Sequence, residues 1–486
     1  MKKLEQIIQS KFIFYISMII FAIITLFRII NHIPFVDEAH AWSLAEHLRY
    51  FEMVKEVKNE GHFFIWQTIL YPFAKLHLYP YAMQIINWIF CIIALIIMWQ
   101  KAPFNNVIKV LITFSFPFLG CYGVLARCYS IGILCLFLLA AMYEKRLEYP
   151  KTYALLLIIC ANTSVMAMIG ASAFGFLFLY DLLSKKSLSK KTNVFVGLIL
   201  SFGVILILAQ LLNIDYFMAI TSNRRPHISI KIFRNVFVYK NLFLNLFLIT
   251  IFSVPIVKYF WKFKLSLIFF GYTYFLLLMF TMAVYGGYFW HSYFFYIYLI
   301  ISMWICQRCL VDESFVKKAA VCILGAVSII LIFHKPTVSE YFFVYGSLRA
   351  KTFMGYVEND ELLKKSQIIQ NDGLLMEALP YFSAKNLKIR THCNNEIISE
   401  YSLLNGDDKF CAVKRTIEQA KREPETIKKI VESYKGSTYT YIDSVDYVTQ
   451  RTFYNIPADG YSIYFEKYKC YDRYCFWRIE IKYENK

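Results

Sequence analysis

Long apolar runs separated by short basic loops fill the first two thirds of the chain, and a polar, alternating pattern replaces them near residue 335. A run of about twenty apolar residues is the length of a helix that crosses a bilayer. Such runs predict spans at roughly 12–30, 81–99, 107–125, 128–143, 153–169, 171–183, 193–212, 235–257, 265–284, 288–306 and 319–334. The stretch FFIWQTILYPFAKLHLYP, residues 63–80, is shorter and carries Lys75 and His77, so it is expected to lie in the interface. With the N-terminus inside, the loops 100–109, 144–152, 184–192, 258–264 and 307–318 are then cytoplasmic. They hold Lys101, Lys109, Lys145, Arg146, Lys151, Lys185, Lys186, Lys190, Lys191, Lys258, Lys262, Lys264, Arg308, Lys317 and Lys318. Making 63–80 a span would turn most of these cations outward, against the positive-inside rule, so the pattern predicts about eleven spans.

Residues 335–486 are long enough for one further domain. Helix-like segments (NDELLKKS, GLLMEALPYF, EPETIKKIVESY) alternate there with strand-like ones (SQIIQN, NLKIRTHC, STYTYID, YSIYFEKY, FWRIEIKY). The expected fold class is a polytopic α-helical membrane protein with a C-terminal extracytoplasmic α/β domain. Its two domains are 1–334 and 335–486. The second shows no Gly-rich phosphate loop, Ser-His-Asp order or HExxH, and no catalysis is assigned to it.

Composition narrows the class. At 58% hydrophobic and 19% aromatic, the chain is far too apolar for a soluble enzyme. The net charge of +18 raises nucleic acid as a partner, but much of it falls in the short loops and no nucleic-acid motif accompanies it. The N-terminal stretch has the basic flank of a signal peptide. Its apolar run is too long for one, and no small-residue cleavage site follows, so it is expected to be a retained span. Eight cysteines (Cys91, Cys121, Cys128, Cys135, Cys160, Cys306, Cys309, Cys322) lie in or beside the apolar runs, where a thiol is a small apolar group. Cys393, Cys411, Cys470 and Cys475 fall in the C-terminal region. They have no CxxC spacing and, outside the cytoplasm, allow up to two disulfides in three connectivities.

Candidate chemistry gathers where the chain leaves its first apolar run. The loop NHIPFVDEAHAWSLAEHLRYFEMVKEVKNEGH, residues 31–62, carries Asp37, Glu38, His40, Glu60 and His62. Ionisable groups at the lipid boundary are costly unless solvated or paired, and as a set they point to a polar cavity. A carboxylate there can act as general base on an incoming hydroxyl or amine. Arginine forks can hold a phosphate and stabilise it as it leaves. Arg127, with Tyr122 and Tyr129 beside it, stands at the outer end of a span. Arg224 and Arg225 lie in 213–233, a basic loop on the outer side that breaks the charge rule. His291 lies in the aromatic turn GGYFWH. The bland alternatives are headgroup anchors for the arginines and an ordinary aromatic belt for His291. A divalent metal is the competing use of Asp37, Glu38, His40, Glu60 and His62, although their spacing fits no familiar zinc signature, and no cofactor is called for.

Four of these segments carry a resemblance to the GT-C superfamily of integral membrane glycosyltransferases, near the protein O-mannosyltransferase and aminoarabinose transferase branch. Asp37-Glu38 is similar to that branch's first-loop acidic motif. EGHFFIWQTILYPFAKL resembles the stretch usually read as HPPLYYLLL, without its prolines. ARCYSIGILCLFLLAAMYEKR resembles the Arg-x-Tyr span, and YGGYFWHSYFF a late bacterial segment. The resemblance covers roughly residues 12–310. It implies an inverting transferase that takes a sugar from a polyprenyl-phosphate donor in the cell membrane to a glycan, lipid or protein acceptor. Asp37 is then the base and Glu38 its support, with Arg127 and Tyr129 near the donor phosphate. Arg224 and Arg225 join the donor site by position. His40, Glu60, His62 and His291 serve the acceptor or support the site. No acid follows Arg127 and Tyr129 where some members carry a second one. A lipid-linked glycan flippase would use the same cavity without chemistry. An O-antigen-type polymerase or ligase would rely on the outer arginines instead of an acid.

Overall fold

The computed structural model describes residues 11–32, 34, 36–57, 63–76, 78, 81–185, 189–211, 253–283, 289–309 and 315–333 of the apolar part. In the C-terminal part it describes residues 355–356, 359–365, 367–370, 389–393, 396–398, 421, 424–432, 440–444, 453–471 and 474–484. The chain divides into two compact units. One comprises 1–32, 57–66 and 83–344, and the other comprises 33–56, 67–82 and 345–486. The segment that follows the first apolar helix and most of 63–80 thus cluster with the C-terminal region.

The first unit is helical. Its helices include α1 (Lys11–Asn31), α5 (Tyr81–Lys101), α6 (Asn106–Thr113), α7 (Tyr129–Met142), α8 (Pro150–Ala161), α9 (Val165–Lys185), α10 (Lys190–Leu211), α11 (Lys264–Ala283), α12 (Phe289–Ser292), α13 (Phe294–Cys309) and α14 (Phe315–Ile332). Among the described residues, α1, α5, α9, α10, α11 and α14 are long and apolar enough to cross a membrane.

Several boundaries differ from the apolar runs. The run 107–125 is not one helix: α6 stops at Thr113, and after a short turn Pro117–Tyr122 forms a π-helical turn. Pro117 has no amide hydrogen to continue the ladder. Close packing holds the new turn, since a Cβ on Gly120 would sit 2.1 Å from the Phe116 ring. The break expected near residue 170 falls instead at Asn162–Ser164. Asn162 caps the end of α8, and Ser164 Oγ accepts from the Ala167 amide at 3.1 Å to open α9. Gly170 stays inside α9, where Leu136 and the Tyr298 ring fill the space a side chain would need. Polar capping groups outweighed the glycine as the breaker.

One end of this unit is tied by charge. Arg308 bonds Glu144 at 3.0 Å and the Lys101 carbonyl at 2.8 Å, joining the C-terminal ends of α5 and α13 and the turn after α7. Lys109 caps α5 at the same end through the Trp99 carbonyl, at 2.7 Å. Close by in sequence, Arg146 is buried with Asp181: its Nε donates to Asp181 Oδ2 at 2.7 Å, and Nη1 donates to the Tyr143 carbonyl.

In the second unit the expected loop 31–62 is mostly helical. It forms α2 (Val36–His47) and α3 (Tyr50–Val57). The Arg49 amide donates to Glu52 Oε2 at 3.1 Å, one half of a capping box, and this starts α3 directly after α2. The short helix α4 (Ile65–Lys75) tolerates Pro72 and ends on Lys75, whose Nζ caps α2 through the Glu46 carbonyl at 2.7 Å. Burial lowers the Lys75 amine below its ordinary value, against the pull of Glu46 and Glu52.

The C-terminal region carries α15 (Glu361–Lys365), β1 (Gln367–Gln370), β2 (Ile389–Cys393), β3 (Glu396–Ile398), α16 (Pro424–Glu432), β4 (Thr440–Ser444), β5 (Phe453–Ala458), β6 (Tyr461–Tyr471) and β7 (Tyr474–Tyr483). The strands form a mixed sheet in the order β3-β2-β1-β4-β7-β6-β5, with β2, β1 and β4 parallel. Strands β5–β7 hold the core. Tyr461, Ile463 and Phe465 alternate inward against Ile456, Trp477 and Ile479, and Val431 of α16 packs on them. The strand-like segments of the sequence recur as β1, β2, β4, β6 and β7. The sequence pattern missed β5, because Pro457 reads as a breaker. It is tolerated because β5 is the edge strand of the sheet. The register sets Cys470 directly opposite Cys475. Cys411 and the helix-like GLLMEALPYF lie outside the described residues.

Candidate functional site

The end of the first unit opposite the Arg308 tie is polar and aromatic. Here α5 starts, α1 ends, and the chain turns from the π-helical segment into α7. The π-helical turn widens the backbone, a geometry frequent at functional sites. Its carbonyls receive a buried cation: Arg28 of α1 donates through Nη1 to Leu119 at 3.0 Å and through Nη2 to Gly120 at 3.4 Å. Arg28 is only 2% exposed. The sequence reading missed it, although a lone arginine inside an apolar run was the available signal.

From this turn the chain passes Tyr122 and Arg127 into α7. Arg127, Tyr129 and Ser130 are all buried. The Tyr129 hydroxyl lies 2.8 Å from His291 Nε2, and the two rings stand edge to face at 5.5 Å. Beside them the Tyr122 hydroxyl donates to the Trp290 carbonyl at 2.7 Å. Phe294 closes the group against both tyrosine rings, at 5.8 and 6.1 Å. The Tyr122 carbonyl is a second node, accepting from Ser130 Oγ at 2.7 Å and from Asn87 Nδ2 of α5 at 2.9 Å. Two of the singled-out segments, ARCY and YFWH, are therefore bonded to each other across 162 residues of sequence.

The acidic segment belongs to the second unit. Asp37 and Glu38 occupy the first turn of α2, where the helix N-terminus favours carboxylates. Asp37 is half-buried, while Glu38 and His40 are buried. Residues 38–45 are all buried, so α2 is enclosed on every face instead of lying on a solvated surface. Glu60 and His62 lie outside the described residues, as do Arg224 and Arg225. Among the described residues no three His, Cys, Asp or Glu side chains converge as metal ligands would.

Compared with known proteins, the chain matches no protein-family model and no curated protein.

Each unit offers chemistry of its own. The second supplies a half-buried carboxylate with a buried one beside it. The first supplies a buried arginine, a hydrogen-bonded Tyr–His pair and several amide and hydroxyl groups, all in apolar surroundings. In such surroundings these dipoles and charges act more strongly than in water.

Proposed function

We propose that this chain is a polytopic GT-C-type membrane glycosyltransferase with about eleven spans. It moves a sugar from a polyprenyl-phosphate donor to a cell-envelope acceptor at the outer face of the membrane. The observation that carries the reading is the buried cluster of Tyr122, Tyr129, Trp290 and His291. It joins two segments that each resemble the superfamily and sits at the end of the helical unit opposite the Arg308 tie. In apolar surroundings a hydrogen-bonded network of this kind is a rigid, preorganised set of dipoles that a polar substrate can use.

In this reading Asp37 takes the proton of the acceptor hydroxyl as its oxygen attacks the anomeric carbon. The bond from that carbon to the donor phosphate breaks on the opposite face, so the sugar inverts. The polyprenyl phosphate leaves with its charge held by Arg127 and, from the basic loop, by Arg224 and Arg225. Glu38 supports Asp37, and Tyr129 with His291 shapes the donor side. In this reading the basic ends carrying Lys101, Lys145, Lys151 and Arg308 face the cytoplasm by the positive-inside rule, and the C-terminal region lies outside.

Turnover of the purified protein with a polyprenyl-phosphate sugar tests this. Asp37→Asn is expected to lower turnover by about 10²–10⁴ while donor binding stays as in the wild type. Near wild-type turnover in Asp37→Asn would remove the base and with it the reading.

A further inference from the structure

Beside the tyrosine–histidine cluster, α5 carries a polar face that the proposed mechanism leaves unused. Its buried stripe runs Gln84, Asn87, Cys91, Ala94, Leu95 and Met98, a spacing that keeps one side of the helix inward. The stripe is apolar along most of its length and polar only in the first turns. Gln84 and Asn87 are both 0% exposed. Neither Gln84 Nε2 nor Gln84 Oε1 has a hydrogen-bond partner among the described residues, and Asn87 Oδ1 has none either. Asn87 Nδ2 is bound to the Tyr122 carbonyl, the node that also receives Ser130. One helical turn thus holds three buried amide atoms without partners among the described residues, next to the candidate site.

Buried amides without partners are costly, and apolar residues would have filled these positions at lower cost. The chemistry of the three atoms selects a ligand. A cation would need acceptors alone, an anion would need donors alone, and a lipid chain would need apolar lining. An amide that donates and accepts side by side matches a pair of neighbouring hydroxyls, which do the same. We propose that Gln84, with Asn87, forms the sub-site that reads adjacent ring hydroxyls of the transferred sugar. This rests on the glycosyltransferase reading for the donor's lipid phosphate but not for the sugar contact itself.

The test uses the full chain in lipid nanodiscs and the variant Gln84→Leu, similar in size and without polar atoms. Three quantities are read for wild type and variant: affinity for a polyprenyl-phosphate hexose, affinity for the bare polyprenyl phosphate, and saturation transfer from the protein to free hexoses. The expected result is a roughly tenfold loss of affinity for the sugar-loaded lipid, about one hydrogen bond's worth. Affinity for the bare lipid should be unchanged and hexose saturation transfer lost. The ligand-free variant should melt no lower than wild type, because it removes polar atoms that lacked partners. If both lipids weaken equally, or hexose transfer survives in Gln84→Leu, Gln84 does not read the sugar and the sub-site is wrong. A variant that melts lower and keeps its sugar affinity overturns it too, since Gln84 then serves the fold and not the sugar. Wild-type protein that binds hexose through Gln84 but ignores both lipids would overturn the transferase reading and leave the sub-site standing.

Discussion

The Arg146–Asp181 pair allows the sharpest energetic prediction, because its partners are fully defined on the arginine side. Arg146 gives Nε and Nη2 to one carboxylate oxygen of Asp181 and Nη1 to the Tyr143 carbonyl. Its guanidinium lies 3.9 Å from the Tyr143 ring centre. The side chains of Arg146 and Asp181 are 8% and 3% exposed. Asp181→Ala leaves that cation buried with one neutral carbonyl and one ring. Removing one partner from a buried pair costs about 3–5 kcal/mol, against about 0–1 kcal/mol for a surface pair. The ring contact, worth about 0.5–2 kcal/mol, remains and holds the loss toward the lower figure. Replacing both members, Arg146→Met with Asp181→Leu, removes the stranded charge as well and should return stability to within about 1–2 kcal/mol of wild type. Reversible unfolding in mixed micelles, run as a double-mutant cycle, reads these values directly. A loss below about 1 kcal/mol for Asp181→Ala would mean that water reaches the pair. The buried ion pair between the α7–α8 turn and α9 would then not be a desolvated contact.

Two further predictions concern the site and its sidedness. Arg127→Lys keeps the charge but loses the planar fork, so donor affinity should fall roughly 10–100-fold by titration, and unchanged affinity would take Arg127 out of the phosphate site. A thiol-reactive, membrane-impermeant label should reach a cysteine placed at residue 400 from outside intact cells; labelling only after lysis would make 63–80 a true span and reverse the outer loops.

Much of the helical unit was legible because burial in lipid demands long apolar segments whatever their neighbours are. Helices α1, α5, α10, α11 and α14 sit where their apolar runs lie. The same holds for β6 and β7, whose period-two alternation records one buried face. The residues Asp37, Glu38, Arg127, Tyr129 and His291 could be chosen from the sequence because ionisable and aromatic groups near a lipid boundary stand out against an apolar background.

What the sequence left open depends on partners far away along the chain. Nothing local to 107–125 says that Pro117 opens a π-helical turn, because that turn is held by the Phe116 ring against Gly120 and by Arg28, some ninety residues earlier. Nothing local to Tyr129 names His291 as its partner, 162 residues on. The segment 453–458, with Pro457 in it, was not among the strand-like segments; pairing with β6 at the sheet edge makes it a strand. Gln84 and Asn87 lie at the head of an apolar run, and only packing buries them with three atoms unpartnered among the described residues. Periodicity and solvent transfer act along the chain and can be read from it. Hydrogen-bond satisfaction and close packing are settled between segments, so tertiary structure decided them.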